Sequence, residues 1–327
     1  MESLFAAFMS LIFGLLGLLW GADRFVTGSA GAARNFGIAP MVIGLTVVSI
    51  GTSAPEIIVA INAALKAAGD MAVGNAIGSN LANIGMVLGI TAIVAPIPVQ
   101  KHLIQQESPV LLIITLFAGY CLIDGALSRT DGWMLLLALI PLLILTVRYK
   151  KEHPNPEEME EAESIPDIST AAAIMWFAIG LGVLLVSSEI LVWGAKSIAH
   201  HFGVSQLIIG LTVVAVGTSL PELAASVMSA VRGHHDIALG NIFGSNLFNL
   251  MAVMSMPGII APLALSNAVF YRDYLAMASI TLVLIGGIGW SLLQSSRTGR
   301  PARLSRAMGI VLLVLYALYY VLLIPTQ

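Results

Sequence analysis

The sequence predicts an all-α integral membrane protein with ten transmembrane helices in two inverted five-helix repeats. Three observations support this fold class: the composition, the spacing of the charged residues and an internal repeat. Apolar residues make up 58% of the 327 residues and charged residues only 10%, whereas soluble domains carry about 25% charged residues. So few charges cannot cover the surface of a soluble fold of this size, which excludes a soluble enzyme.

The composition also excludes two other classes of protein. The net charge of −3 provides no basic surface for nucleic acid. Cys121 is the only cysteine, so no disulfide can form within the chain. The first residues, Met1 to Ser3, lack the basic segment that begins a signal peptide, and we therefore expect the first apolar stretch to be retained as a membrane span.

Ten apolar stretches are long enough to cross a bilayer, which takes about 20 residues of helix. Strands of a membrane barrel would be about ten residues long, with alternating polarity, and these stretches are neither. The predicted helices span residues 4–32, 38–66, 71–96, 108–125, 132–149, 169–199, 204–232, 237–260, 270–293 and 305–324.

An even number of helices places both termini on the same side of the membrane, and the loops then divide the 15 lysines and arginines into two sets. Only Lys66, Arg129, Lys196 and Arg272 fall in the smaller set. Because basic residues concentrate in cytoplasmic loops, the larger set is predicted to be cytoplasmic. Both termini are then outside, which is the periplasm for the inner membrane of a bacterial cell.

The one long polar stretch, residues 149–168, is rich in glutamate and proline. This composition is typical of an acidic linker without a packed core. We expect it to be a cytoplasmic connection between a first repeat, residues 1–148, and a second repeat, residues 169–327.

The two halves share a motif. Residues 41–90 align without a gap to residues 207–256 at an offset of 166, and 22 of the 50 positions are identical. Since five helices precede the linker and five follow it, the second half enters the membrane from the opposite face. Inverted repeats of this kind build many secondary transporters, with the substrate site at the repeat interface near the midplane.

Each copy carries the sequence GTSxPE near the middle of a predicted helix, at residues 51–56 and 217–222. Proline has no N–H to continue the helical hydrogen bonds, and the glycine eases an unwound turn. We therefore expect a broken helix with freed carbonyls near residues 49–51 and 215–217. A break at membrane depth is tolerated only where it is buried in protein or lines a cavity.

Oxygen-bearing side chains surround each predicted break. In the first copy, Ser49, Thr52, Ser53 and Glu56 are spaced to lie on one helical face. The following helix carries a polar stripe at every fourth residue. The matched polar positions are Thr52 and Thr218, Ser53 and Ser219, Glu56 and Glu222, Asn75 and Asn241, Ser79 and Ser245, and Asn83 and Asn249; Gly51, Gly217, Pro55 and Pro221 form the breaks.

These groups favour a hard cation as the ligand. The copies share no histidine, cysteine or methionine at a polar position, which disfavours zinc or copper. Six to eight oxygens that include carboxylates suit Ca²⁺. Two carboxylates would balance one Ca²⁺, or they would hold two or more Na⁺.

The two glutamates are the strongest indication. A charged side chain at the bilayer centre costs at least about 2.5–3.5 kcal/mol, and no basic residue lies at the same depth of either predicted span. Glu56 and Glu222 must therefore be protonated or metal-bound. A single buried glutamate is compatible with a neutral structural role, but two at matched positions favour a cation site.

With these motifs, GTSxPE followed by GNxxGSNxxN in two copies, the chain resembles the sodium/calcium exchanger family of cation/Ca²⁺ antiporters, and its short prokaryotic members most of all. The resemblance implies an antiporter in which the first and sixth helices move against a core that contains the repeats. It implies Glu56 and Glu222 as the principal Ca²⁺ carboxylates. The further implied ligands of Na⁺ and Ca²⁺ are Thr52, Ser53, Thr218, Ser219, Ser79, Ser245, Asn83, Asn249 and the carbonyls of Ser49 and Ala215.

Two coupling alternatives remain open from the sequence. Two carboxylates would also carry protons, which allows H⁺/Ca²⁺ exchange. Some family members, including relatives that co-transport K⁺, have aspartate where this chain has Asn249, so K⁺-dependent Na⁺/Ca²⁺ exchange is the less favoured alternative. A cation channel would use similar oxygens without coupling two ions.

We expect neither an enzyme nor a cofactor, because no HExxH or GxSxG motif is present. The expected partners are Ca²⁺, Na⁺ (with H⁺ or K⁺ as the alternatives) and the lipid bilayer. One chain carries a complete ligand set, so a monomer would suffice for transport, whatever the oligomeric state.

Overall fold

The computed structural model describes residues 2–153, 165, 167–203 and 215–323, and these are largely helical. The described helices are α1 (Glu2–Phe36), α2 (Pro40–Thr52), α3 (Ala54–Leu65), α4 (Gly69–Val94), α5 (Leu103–Leu122), α6 (Arg129–Glu152), α7 (Thr170–His201), α8 (Ala215–Thr218), α9 (Leu220–Val231), α10 (His235–Ile260), α11 (Val269–Thr298) and α12 (Arg306–Leu323). Each lies largely within one of the predicted spans.

Eight of the described helices are long and apolar enough to cross a membrane. The number is nine if α2 and α3, which are bent by 45° at a short break, form one span. The predicted helix at 204–232 is described only from Ala215, and most of the predicted linker at 149–168 also lies outside the described residues. The structure therefore shows an all-helical, multi-pass membrane protein, while the count of ten stays a prediction.

The two longest helices, α1 and α7, pack closely through glycines. A Cβ atom at Gly28 would lie 2.2 Å from the backbone nitrogen of Phe177, and one at Gly180 would lie 2.2 Å from that of Phe25. Small residues let helix backbones approach closely inside a membrane, where apolar burial does not drive association. The sequence spacing of these glycines thus fixes α1 and α7 as a pair.

The contacts within this pair recur at the repeat offset. Gly14 meets Leu191, and Gly180, 166 positions after Gly14, meets Phe25, 166 positions before Leu191. The surface of α1 that contacts α7 and the surface of α7 that contacts α1 therefore consist of matched positions of the repeat.

The second buried layer is formed by α2 against α10. Within the described chain, the most hydrophobic stretch of α10 is buried entirely in protein. A Cβ at Gly240 would lie 2.5 Å from the carbonyl oxygen of Met41, and one at Gly244 would lie 2.5 Å from that of Leu45. The GxxxG spacing of α10 is therefore used for close packing, and it brings the polar stripe of α10 against the break after α2.

Several helices contain π-helical turns, a feature that the sequence did not predict. They are Gly44–Val48, Asn83–Leu88, Leu103–Glu107, Asn249–Val253 and Val269–Tyr274. The second and fourth begin at positions 166 residues apart, and so do the third and fifth. Single π-turns inside α-helices are frequent at functional sites, and here two of them begin at the candidate ligands Asn83 and Asn249.

Two short strand pairs join the loops. Strand β1 (Ile97–Pro98) pairs antiparallel with β4 (Arg303–Leu304), and β2 (Ala126–Leu127) pairs antiparallel with β3 (Leu263–Ala264). In each case the two loops belong to the same predicted side of the membrane.

One buried ion cluster ties α5 to α6. The Nζ of Lys150 lies 2.7 Å from Oε1 of Glu107, and the Nδ1 of His102 lies 3.0 Å from Oε2 of the same carboxylate. All three side chains are buried. Buried charges are normally paired in this way because an isolated one is costly.

We expect Gly180→Ala to destabilise the protein, because its Cβ would overlap backbone atoms of α1. Overpacking of this kind costs about 1–3 kcal/mol, which would lower the midpoint of thermal unfolding in detergent. Gly182→Ala is the matched control, since a Cβ there meets no described atom within 4 Å. Equal midpoints for the two variants would contradict the proposed packing of α1 on α7.

Candidate cation site

Both GTSxPE motifs form a helix break with nearly the same backbone geometry. Ser53, between α2 and α3, has φ −87° and ψ 3°, and Ser219, between α8 and α9, has φ −92° and ψ 5°. The proline that follows lies in the first turn of the next helix, where its missing N–H costs nothing. The predicted breaks are present, and each starts a new helix two residues before its glutamate.

The two breaks differ in their hydrogen bonds. The N–H of Ser53 donates to the carbonyl of Ser49 at 2.9 Å, whereas the N–H of Ser219 donates to the carbonyl of Val216 at 3.1 Å. The Ser49 carbonyl oxygen also lies 3.4 Å from the hydroxyl of Thr52.

The two carboxyl groups are deeply buried and belong to one site. Glu56 and Glu222 are each 1% exposed, and the hydroxyl of Ser53, three residues before Glu56, contacts the Glu222 carboxylate. In the described part of the chain, no lysine, arginine or histidine lies within ion-pair distance of either glutamate. Two carboxylates that share a dry site need a positive charge or protons between them.

One of these carboxylates is joined to the opposite motif. The hydroxyl of Ser53 donates to Oε1 of Glu222 at 3.1 Å. The repeat-matched hydroxyl of Ser219 is buried without a hydrogen-bond partner in the described structure, and so is Oε2 of Glu56. The motifs therefore face each other, with one serine–glutamate contact formed.

Asn241 on α10 organises the first break. Its Oδ1 accepts a hydrogen bond from Thr52 at 3.1 Å, and its Nδ2 donates to the Ser226 hydroxyl at 2.9 Å and more weakly to the Glu222 carbonyl at 3.4 Å. One side chain thus connects α10 to both motifs.

The matched residue on α4 has a different environment. Asn75 Nδ2 is buried without a partner among the described residues. Ala60 stands at the position that matches Ser226, so no hydroxyl is available there. The two halves of the site are therefore alike in ligands and unlike in their supporting hydrogen bonds.

The predicted ligands supply many oxygens that protein groups leave unused. Four of them are buried, namely Asn83, Asn249, Ser79 and Ser245, and Thr218 is half-buried. The Ser49 hydroxyl packs against α10, since a Cβ at Gly244 would overlap it. Buried side-chain oxygens without a partner in the described structure are Oε2 of Glu56, Oε2 of Glu222, Oδ1 of Asn83, Oδ1 of Asn249, Oγ of Ser219 and Oγ of Ser245. Since buried polar atoms are nearly always hydrogen-bonded, such a group of acceptors fits a cation.

The sequence prediction missed two serines. Ser226 supports Asn241, and the hydroxyl of Ser188 on α7 donates to the Gly217 carbonyl at 3.1 Å. The repeat matches them with Ala60 and Ala22, so a search for polar residues shared by both copies passes over them. Ser226 lies on a polar face one turn after Glu222, and Ser188 lies beside Glu189. These positions were the signal in the sequence that could have identified the two serines.

A family model described as sodium/calcium exchanger protein matches residues 6–148 and 172–324. The putative antiporter CaxA of Alkalimonas amylolytica is 45% identical over 316 residues, which cover 96% of this chain and 97% of the relative. Inner membrane protein YrbG of Escherichia coli K12 is 39% identical over 298 residues, which cover 90% of each chain.

A solved structure of the sodium–calcium exchanger NCX_Mj, soaked with zero Na⁺ and Ca²⁺, has the same fold. It superposes with a TM-score of 0.82 at 33% sequence identity and covers 98% of this chain and 99% of that chain.

We expect Ser226→Ala to lower the free energy of unfolding by about 1–3 kcal/mol, because it leaves a buried amide donor of Asn241 with only a weak acceptor. Ser279→Ala is the control, since that exposed hydroxyl bonds only its own helix at Leu275. Thermal unfolding in detergent compares the two. A smaller loss for Ser226→Ala than for the control would contradict the assigned network.

Proposed function

Because this chain belongs to the sodium/calcium exchanger family, we propose that it is a secondary antiporter that exchanges Na⁺ for Ca²⁺ by alternating access. The observation that carries this proposal is the burial of Glu56 and Glu222 together, each 1% exposed, amid oxygens without protein partners. Such a site attracts cations and offers them nothing but oxygen ligands.

The proposed site binds either one Ca²⁺ or several Na⁺. Glu56 and Glu222 supply the charge, and the other ligands are Thr52, Ser53, Thr218, Ser219, Ser79, Ser245, Asn83, Asn249 and the carbonyls of Ser49 and Ala215. Since two carboxylates balance one Ca²⁺, sodium ions entering the same shell must displace it. Exchange follows because the two kinds of ion compete for the same two charges.

The proposed architecture is ten spans in two inverted halves, residues 1–148 and 169–327, joined by the linker 149–168. Contacts at matched positions support it. Gly14 on Leu191 repeats as Gly180 on Phe25. Strand β3 lies 166 positions after β1, and each of the two pairs with a strand in the last loop of the other half, β2 or β4. The two glycine contacts map onto each other when the halves are exchanged.

The proposed orientation has both termini outside and the linker in the cytoplasm. This orientation is supported by two contacts, each of which joins segments that are predicted to lie on the same side of the membrane. The end of α1 meets the end of the linker, since Nδ2 of Asn35 donates to the carbonyl of Ile168 at 2.8 Å. Arg129 donates to the carbonyl of Ile259 at 3.2 Å, and both lie on the predicted outer side. A relative named as an inner membrane protein supports the inner membrane as the location.

We expect purified protein in liposomes to take up Ca²⁺ when an outward Na⁺ gradient is imposed. The reason is that internal Na⁺ displaces Ca²⁺ from the shared site on one side only. Radioactive Ca²⁺ uptake under imposed Na⁺, K⁺ and H⁺ gradients in turn identifies the coupling ion. Uptake driven only by a pH gradient would establish H⁺/Ca²⁺ exchange instead, and flux without any opposing ion would indicate a channel.

We expect Glu56→Gln and Glu222→Gln each to abolish Na⁺-driven Ca²⁺ uptake, because each removes one of the two charges that balance Ca²⁺. Both variants should fold, since a neutral amide is less costly at this depth than a carboxylate. Asp70→Asn, which neutralises an exposed acid at the start of α4, is the control and should retain the rate. Normal uptake by either glutamine variant would contradict the assigned site.

We expect Ca²⁺ to raise the midpoint of thermal unfolding of the wild-type protein in detergent. A ligand at 100 times its dissociation constant adds about 2.7 kcal/mol to the free energy of unfolding. Neither glutamine variant should show this increase. The measurement tests ion binding separately from transport, and a full Ca²⁺ effect in both variants would place the binding elsewhere.

A further inference from the structure

An ion pair outside the cation site joins the α1–α7 pair to the core. Arg232, which follows α9 directly, donates to the carboxylate of Asp23 on α1. The side chain of Asp23 is 22% exposed and that of Arg232 is 40% exposed. The contact is therefore only partly buried, and it lies toward the end of the protein predicted to be cytoplasmic.

The repeat places a second pair of opposite charges at matched positions. The offset of 166 relates Asp23 to Glu189 on α7, and Lys66, at the end of α3, to Arg232. Both positions keep their sign of charge, although the flanking residues differ. By the predicted topology, Glu189 and Lys66 lie toward the outer side of the membrane.

This second pair is not formed in the structure. Glu189 and Lys66 are both exposed, and within the described residues neither has an ion-pair partner within 4.0 Å. The two matched pairs are thus in opposite states, closed at Asp23–Arg232 and open at Glu189–Lys66.

The α1–α7 pair also contacts both helix breaks. A Cβ at Gly51 would lie 3.1 Å from Leu181 on α7, and one at Gly217 would lie 2.3 Å from Val192. Ser188, next to Glu189, donates to the Gly217 carbonyl. A displacement of this pair along the core therefore changes the contacts at the cation site and at both ion pairs together.

We propose that Asp23–Arg232 and Glu189–Lys66 close opposite sides of the transport path in alternation, so that the formation of one pair accompanies the opening of the other. This inference rests on the proposed alternating access. These residues are positioning residues, which hold the α1–α7 pair at one end of its movement and bind no ion. Exposed ion pairs are weak, which suits contacts that must break in every transport cycle.

Charge reversal tests the first pair. We expect Asp23→Arg and Arg232→Asp each to slow Na⁺-driven Ca²⁺ uptake in proteoliposomes by about two- to fivefold, the factor that corresponds to an exposed ion pair. The double variant restores opposite charges and should recover most of the wild-type rate. Arg300→Asp, a reversal at an exposed loop residue, is the control and should leave the rate unchanged. A double variant no faster than the slower single variant would overturn the proposal.

Cross-linking tests the alternation directly. In a Cys121→Ser background, one protein carries Asp23→Cys with Arg232→Cys and another carries Lys66→Cys with Glu189→Cys. We expect a short bis-methanethiosulfonate, which joins two thiols through disulfide bonds, to link either pair and to stop uptake until a reductant cleaves those disulfides. Ion conditions that raise the yield at one pair should lower it at the other. Yields that rise and fall together, or a Lys66–Glu189 pair that never links, would overturn the proposal.

The cross-linking yields do not depend on which ions are exchanged. Wild-type exchange together with uncorrelated yields would refute the alternating pairs and leave the proposed function standing. Opposed yields in a protein without Na⁺/Ca²⁺ exchange would refute the proposed function and support the alternating pairs.

Discussion

The rest of the structure depends on the cost of holding two carboxylates in a region without water. Elsewhere in the chain the same cost is met within the protein: Glu107 is buried against Lys150 and His102. Glu56 and Glu222 have no basic neighbour in the described structure. Compensation for their charge must come from outside the chain, as cations or protons, which is the reason why these two carboxyl groups form the candidate site.

Access to such a site requires backbone that is not regular helix. In a membrane, an interrupted helix is tolerated only where other groups satisfy its freed atoms. Here neighbouring side chains do so: Asn241 holds Thr52 at one break, and Ser188 holds the Gly217 carbonyl at the other. The helices that support the breaks are therefore coupled to the candidate ligands, and a movement of α7 would change the contacts at the candidate site.

The sequence was sufficient to predict the described helices and the breaks, because each has a strong local signal, while the charged ligands stay a prediction. A run of apolar residues marks a span, and a proline before a glutamate marks the break at Ser53. The π-turns at Asn83 and Asn249 have no such signal in the pattern of apolar residues and prolines. Ser226 escaped notice for another reason: matching the repeats selects what the halves share, whereas the support of Asn241 by Ser226 exists in one half only.

Differences between matched positions carry the remaining information. Ser53 reaches Glu222 while Ser219 has no partner in the described part of the chain, and the α1 carboxylate of Asp23 is paired while its α7 counterpart is not. If two inverted halves exchange conformations to change access, any single state must be asymmetric at positions where the sequence is symmetric. A chain whose proposed halves made identical contacts would have no preferred side, so under the proposed alternating access the unequal contacts at matched positions would define one access state.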